Sequence, residues 1–190
     1  GVGFFQFTTS HSKFGLKLRC SAAKGYLNPV KKRKNLKIIV NAHVQKLNFN
    51  NKSVESVSFF TGDKLNHAKA NKEVILSAGA IGSPHLLQIS GIGDSEKIKN
   101  QGIDIVHELK GVGKNLQDHL MFRPVYKLKN IKSLNRDVES LYSKFLMGLQ
   151  YILKQSGPIT MGASQVCAFT KSDPSRATPN LQFHVQPLST

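Results

Sequence analysis

Asn115, Gln117, Asp118 and His119 lie within five consecutive residues, on a stretch opened by Gly111 and Gly113. Two amides, a carboxylate and an imidazole on one loop could line a ligand pocket, because loops carry binding groups on a rigid scaffold. They could also hydrogen-bond among themselves and fix a crossing between two parts of the chain, the reading preferred for Asp118 and His119. Ser77-Ala78-Gly79 follows directly on the apolar run Val74-Ile75-Leu76. Such a run suits a strand buried on both faces of a parallel sheet. Small side chains just beyond its carboxyl end leave room for a ligand, or for tight packing against the next element. His184 sits with Gln182 and Gln186 in alternation with Leu181, Phe183 and Val185. That places an imidazole on the wet face of a half-buried strand, as a ligand contact or as a surface histidine. Cys20 and Cys167 form no CxxC pair and have no histidine at zinc spacing, so free thiols and no metal are expected.

The elements that would position these residues follow from periodicity and punctuation. Val2–Phe7 and Leu16–Arg19 predict a hairpin, and Ser21–Leu27 a short helix stopped by Asn28-Pro29. Leu36–Val40, continued by Val44–Phe49, reads as strand; with 54–60 and 65–70 it predicts a three-stranded antiparallel meander. Ser83 as N-cap and Pro84 at the first helical position predict a helix that Gly91 ends, with Leu86, Leu87 and Ile89 towards the core. Ser83, Pro84, Ser90 and Gly91 are read as architectural. Asp94 is expected to cap a second short helix ending at Gly102, followed by a strand over 103–109. Beyond the polar loop come a strand over 122–128 and an amphipathic helix over 138–154, with Val138, Leu141, Phe145, Leu149 and Ile152 on one face. Strands over 166–170 and 181–185 complete the reading. The character changes near residue 120, from a sheet-and-helix block with a nucleotide-binding look to a helix and strands suited to an antiparallel sheet.

Composition bounds the function classes. With 190 residues and 39% apolar content the chain can supply a core. It has no apolar run long enough to span a bilayer and no secretory pattern at its start. The net charge of +16 permits a polyanion partner or a merely solvated surface. The lysines are scattered along the sequence, and the one tight run, Lys31-Lys32-Arg33-Lys34, has no interleaved aromatic residues. The solvated surface is therefore preferred and no nucleic acid is expected. A basic surface could still favour an anionic cofactor, an anionic substrate or a membrane face.

Residues 79–93, Gly-Ala-Ile-Gly-Ser-Pro-His-Leu-Leu-Gln-Ile-Ser-Gly-Ile-Gly, resemble position by position the second signature of the glucose–methanol–choline (GMC) oxidoreductases. Arg33-Lys34-Asn35-Leu36, the run 72–79 and the run 111–119 also resemble the family, and Thr178–His184 resembles its alcohol dehydrogenase branch. The resemblance covers essentially the whole chain. It implies a fold of α/β plus α+β character. Residues 1–120 would form part of an FAD-binding, Rossmann-like domain with a β-meander. Residues 121–190 would form part of an antiparallel-sheet substrate-binding domain. The family's GxGxxG unit and the segment bearing its catalytic histidine do not match any part of these residues. The chain is therefore expected to be an internal fragment, inactive alone, with no catalytic residue of its own.

The activity implied is oxidation of an alcohol CH–OH group by hydride transfer to flavin N5, with FAD as cofactor and a quinone, another carrier or oxygen as electron acceptor. The resemblance assigns cofactor contacts to Val44, Ser77, Ala78, Gly79 and Asn115, and substrate-pocket contacts to Gln165 and His184. Choline-oxidising relatives carry a glutamate at the position of Gln165. An amide brings no charge to a quaternary ammonium, which points to a neutral primary alcohol, with choline dehydrogenase as the alternative. A basic binding module and a non-catalytic remnant of the fold are the readings from other classes. The expected location is the cytoplasm, with room for peripheral contact with the inner membrane.

Overall fold

The computed structural model describes residues 1–131, 133–162 and 164–188. Along the chain run β1 (Val2–Phe4), β2 (Thr9–His11), β3 (Lys17–Arg19), β4 (Ala42–Asn50), β5 (Ser53–Thr61), β6 (Lys64–Lys69) and α1 (Gly79–Ile89). There follow β7 (Ile92–Gly93), α2 (Ser95–Lys99), β8 (His107–Glu108), α3 (Leu134–Glu139), α4 (Leu141–Lys154), β9 (Val166–Thr170) and β10 (Leu181–Val185). The architecture is mixed α/β, in two compact units: Lys37–Met121, and Gly1–Leu36 with Phe122–Thr190. The change of unit falls between Met121 and Phe122. Residues 1–36 group with 122–190, where β1 pairs with β9, with Val2 opposite Ala168 and Phe4 opposite Val166. The predicted hairpin is accordingly shorter. It joins β2 to β3 about a turn at Ser12–Gly15, where Gly15 takes φ +78°.

In the 37–121 unit the meander forms as expected, in the order β4-β5-β6. Leu47 and Phe59 from the sheet are buried, as are Leu86 of α1 and Ile98 of α2. Ser90 locks the sheet to the helix: its Oγ accepts from the Leu47 N–H at 2.9 Å and donates to the Leu86 carbonyl at 2.6 Å.

The residues expected as a strand over 72–79 form no strand, and the last of them, Gly79, already begins α1. Among the described residues no backbone bond joins them to another strand, and Ile75 is 79% exposed. An apolar run signals a strand, but a ladder needs a neighbour's N–H and C=O groups. The one parallel ladder among the described residues joins β7 to β8. The segments 36–40 and 122–128 likewise form no ladder.

α1 begins five residues earlier than its Ser-Pro signal. Gly79 turns the chain into the helix at φ +85°. The Ser83 hydroxyl accepts from the Ala78 N–H at 3.0 Å, so it satisfies an orphan donor from inside the first turns. Pro84 lies within the helix, which leaves the Ala80 carbonyl without its usual donor.

In the other unit β1, β9 and β10 form an antiparallel sheet. The long helix expected over 138–154 is broken at Ser140, whose extended backbone and hydroxyl cap α4 at Ser143, so Val138 belongs to α3. At the far end of α4 the Tyr151 hydroxyl donates to the Lys17 carbonyl at 2.5 Å. The Gln155 side-chain carbonyl accepts from the Lys17 N–H at 2.7 Å, tying the helix to β3.

Candidate functional site

An open groove of about 780 Å³ runs between α1 and the loop 113–117. Ala80, Ile81, Pro84, His85 and Gln88 form its helical wall, a stripe recurring every four residues along one side of α1. Gly113, Lys114, Asn115, Leu116 and Gln117 form the facing wall.

Backbone bonds carry the loop wall to its place. Leu109 N–H donates to Gly93 C=O at 2.8 Å, extending the β7–β8 ladder, and successive turns follow from Val112 to Leu109 and from Lys114 to Gly111. Gln88 then pins the loop to the helix, its Nε2 donating to the Val112 carbonyl at 3.2 Å. Gly113 adopts φ +76°, and a β-carbon there would stand 2.8 Å from Gln88 Nε2. Asn115 adopts φ +58°, a left-handed conformation that asparagine tolerates better than most residues.

Electrostatics set the remaining anchor. Asp94 caps α2 by accepting from the Lys97 N–H and stands 3.7 Å from the Lys114 ammonium. The Lys97 N–H chiefly, and then the Lys114 charge, hold the Asp94 carboxyl below its usual range, against partial desolvation. A depressed carboxyl adds stability that is present above its unfolded value and lost as pH falls through its folded value. Asp94→Asn should therefore flatten the decline in unfolding temperature below about pH 4. Melting curves recorded against pH check this, and superimposable profiles for the two proteins would refute it.

The groove joins a cationic side chain, neutral amides and the first turn of α1, which carries no acidic residue. Ile81 and Leu116, 74% and 67% exposed, supply apolar surface. This combination suits a ligand with both an anionic portion and a flat apolar portion.

Of the residues assigned to cofactor contact, Asn115 lines the groove. Ser77, Ala78 and Gly79 lead directly into its helical wall. Val44 lies apart on β4, opposite Phe59 and beside a register shift in the ladder. In the polar loop Gln117 lines the groove, whereas Asp118 accepts from the His119 N–H at 2.8 Å and both side chains are exposed. Ile81, His85, Gln88, Lys114 and Leu116 were missed by sequence reasoning. The four-residue stripe would have shown the first three had the helix been started at Gly79.

In the other unit Gln165 and His184 come to one face of the sheet. His184 is opposite Cys167, two residues from Gln165, and Gln165 N–H donates to Val185 C=O at 3.1 Å. The His184 ring lies 4.9 Å from that of Phe5, and the Gln165 amide touches Met161 Sδ. Among the described residues no cluster of histidine, cysteine or carboxylate side chains could hold a metal ion.

Residues 4–121 match a family described as GMC oxidoreductase. The chain is 42% identical over 171 residues to an oxygen-dependent choline dehydrogenase of Staphylococcus xylosus, covering 90% of this chain and 30% of that protein. It is 39% identical over 190 residues to an alcohol dehydrogenase [acceptor] of Pseudomonas putida, covering 98% and 33%. Among solved structures it resembles a fungal aryl-alcohol oxidase, with a TM-score of 0.67, 27% identity and coverage of 80% and 26%. The chain thus spans about a third of the length of the curated relatives it matches.

Proposed function

This chain belongs to the GMC oxidoreductase family, and from that membership we propose that it is part of an FAD-dependent enzyme oxidising the CH–OH group of a neutral primary alcohol. The observation that carries the proposal is the groove between α1 and the 113–117 loop. Its volume lies in the range of cofactor sites, and its walls combine charge, amides and exposed aliphatic surface. The residues present fit a dinucleotide. Lys114 and the unpaired N–H groups at the start of α1 would hold anionic or carbonyl oxygens, Asn115 and Gln117 would hydrogen-bond ring edges, and Ile81 and Leu116 would cover a ring face. When bound, FAD would supply the acceptor for the hydride leaving the alcohol α-carbon.

On the other unit, Gln165 and His184 share a sheet face suited to orienting a hydroxyl, the imidazole accepting from or donating to the alcohol oxygen. A neutral amide at 165 supports an uncharged substrate. The choline dehydrogenase reading is kept because a relative of that name is as similar as the alcohol dehydrogenase. The acceptor would be a quinone, another carrier or oxygen, and the location the cytoplasm with peripheral contact with the inner membrane.

The full-length protein should purify with a flavin absorption band that bleaches anaerobically on adding a primary alcohol. Gly113→Ala, strained at φ +76° and displacing the Gln88 amide that holds the loop, should cut flavin content at least several-fold. Retention of full flavin by this variant would remove the groove from the site, and absence of flavin from the wild type would remove the function.

A further inference from the structure

The lysines scattered along the sequence are gathered by the fold. The unit made of residues 1–36 and 122–190 contains seventeen Lys and Arg against three Asp and Glu; the 37–121 unit contains ten against eight. The first unit therefore carries +14 of the total charge of +16. No carboxylate precedes Glu55 in the sequence. Among the described residues the ion pairs are Lys69–Glu55, Lys110–Glu108 and Lys114–Asp94, all in the 37–121 unit. The cations of the other unit thus have no carboxylate partner among them.

The charge has a focus. Ala23–Leu27 is a single π-helical turn closed by the Asn28 N–H on the Ala23 carbonyl, and tight turns follow, with Val30 N–H bonded to Leu27 C=O, Arg33 to Val30 and Leu36 to Arg33. These turns display Lys31, Lys32, Arg33 and Lys34, all exposed. Tyr26, 81% exposed, and Leu27 and Leu36 flank them. Cations bordered by an exposed tyrosine and aliphatic side chains match the interface of an anionic bilayer, where rings and methyl groups enter the headgroup layer while the cations meet lipid phosphates. Single-stranded nucleic acid would call for aromatic residues interleaved with the cations as a stacking platform, and residues 31–34 contain none.

We propose that the 24–36 segment is a docking surface for an anionic lipid membrane, held by Lys31, Lys32, Arg33 and Lys34 and seated by Tyr26. The assignment rests on the peripheral location proposed above, and names the surface responsible for it.

The full-length protein should cosediment with phosphatidylcholine vesicles containing phosphatidylglycerol, weakly with phosphatidylcholine alone, and less as salt rises. K31Q/K32Q/R33Q/K34Q should lower partitioning about tenfold or more. Y26S should lower it as well, with the salt dependence retained. K52Q/K64Q/K72Q/K99Q removes the same number of charges from the other unit and should leave partitioning unchanged. Circular dichroism confirms that each variant is folded. Loss of binding in both quadruple variants would mean that net charge alone acts and would overturn the surface. Retained binding in the first would overturn it too, while leaving the peripheral location standing. No binding of the wild type to anionic vesicles, or tighter binding to duplex DNA than to them, would overturn both.

Discussion

Gly91→Ala should be the most destabilising single-methyl change in the 37–121 unit, costing on the order of 3 kcal/mol. Gly91 follows the end of α1 at φ +89°, where an L side chain is already strained. Its added β-carbon would lie 2.4 Å from the Asp104 carbonyl oxygen and 2.9 Å from Val106 Cγ2. Relief by moving the chain is blocked, because the Gly91 carbonyl accepts from the N–H groups of Val106 and His107 at 2.9 and 3.2 Å. Backbone is therefore pressed on backbone, in a place that also starts the β7–β8 ladder. Gly102→Ala separates the two contributions. Gly102 has a similar φ of +71° but nothing within 4 Å of a built β-carbon, so it should cost only about 1 kcal/mol. Denaturant unfolding of both variants measures the difference, and equal shifts would show that the contact with Asp104 relaxes freely.

Ser90→Ala should cost about 1–3 kcal/mol, from a change of one oxygen atom. The Leu47 N–H lies in a buried residue and has the Ser90 hydroxyl as its acceptor; without it the donor is dry and unpaired. The Leu86 carbonyl loses the hydroxyl as well, and its usual helical donor, the Ser90 N–H, is bonded instead to the Leu87 carbonyl. Amide exchange distinguishes this account from a general loosening. The Leu47 amide should exchange faster by an amount exceeding the global change in stability, while the β5–β6 amides follow the global change. A Leu47 amide as protected as before would show that water or another acceptor replaces the hydroxyl. Because Ser90 fastens α1 to β4, the variant should also release flavin from the full-length protein more readily than wild type.

The two predictions concern residues that periodicity marked only as helix punctuation. Gly91 was legible because ending a helix with a left-handed residue is a local event. The clash with Asp104 was not, because it depends on a chain segment that returns thirteen residues later. The same division holds at the groove. Asn115 stands out as a polar residue in a glycine-bearing loop, but Gln88 gains its role only when the loop folds back on α1. Ser83 and Pro84 show the converse: a strong local start signal was outweighed by Gly79, whose left-handed turn let the helix begin earlier.

By itself the amino-acid order determined the family signature over 79–93, the meander, the β9 and β10 strands and the capping of α2, since each rests on contacts within a few residues or on one side-chain alternation. Tertiary structure alone decided that β1 leaves the hairpin for β9, that Val74–Leu76 remains without a ladder, and that Gln165 and His184 share a sheet face. It also decided that scattered lysines are sorted into one strongly basic unit, while the other is nearly neutral. Pairing, close approach and summed charge depend on distances through space, and residues far apart in sequence acquire those distances only when the backbone closes.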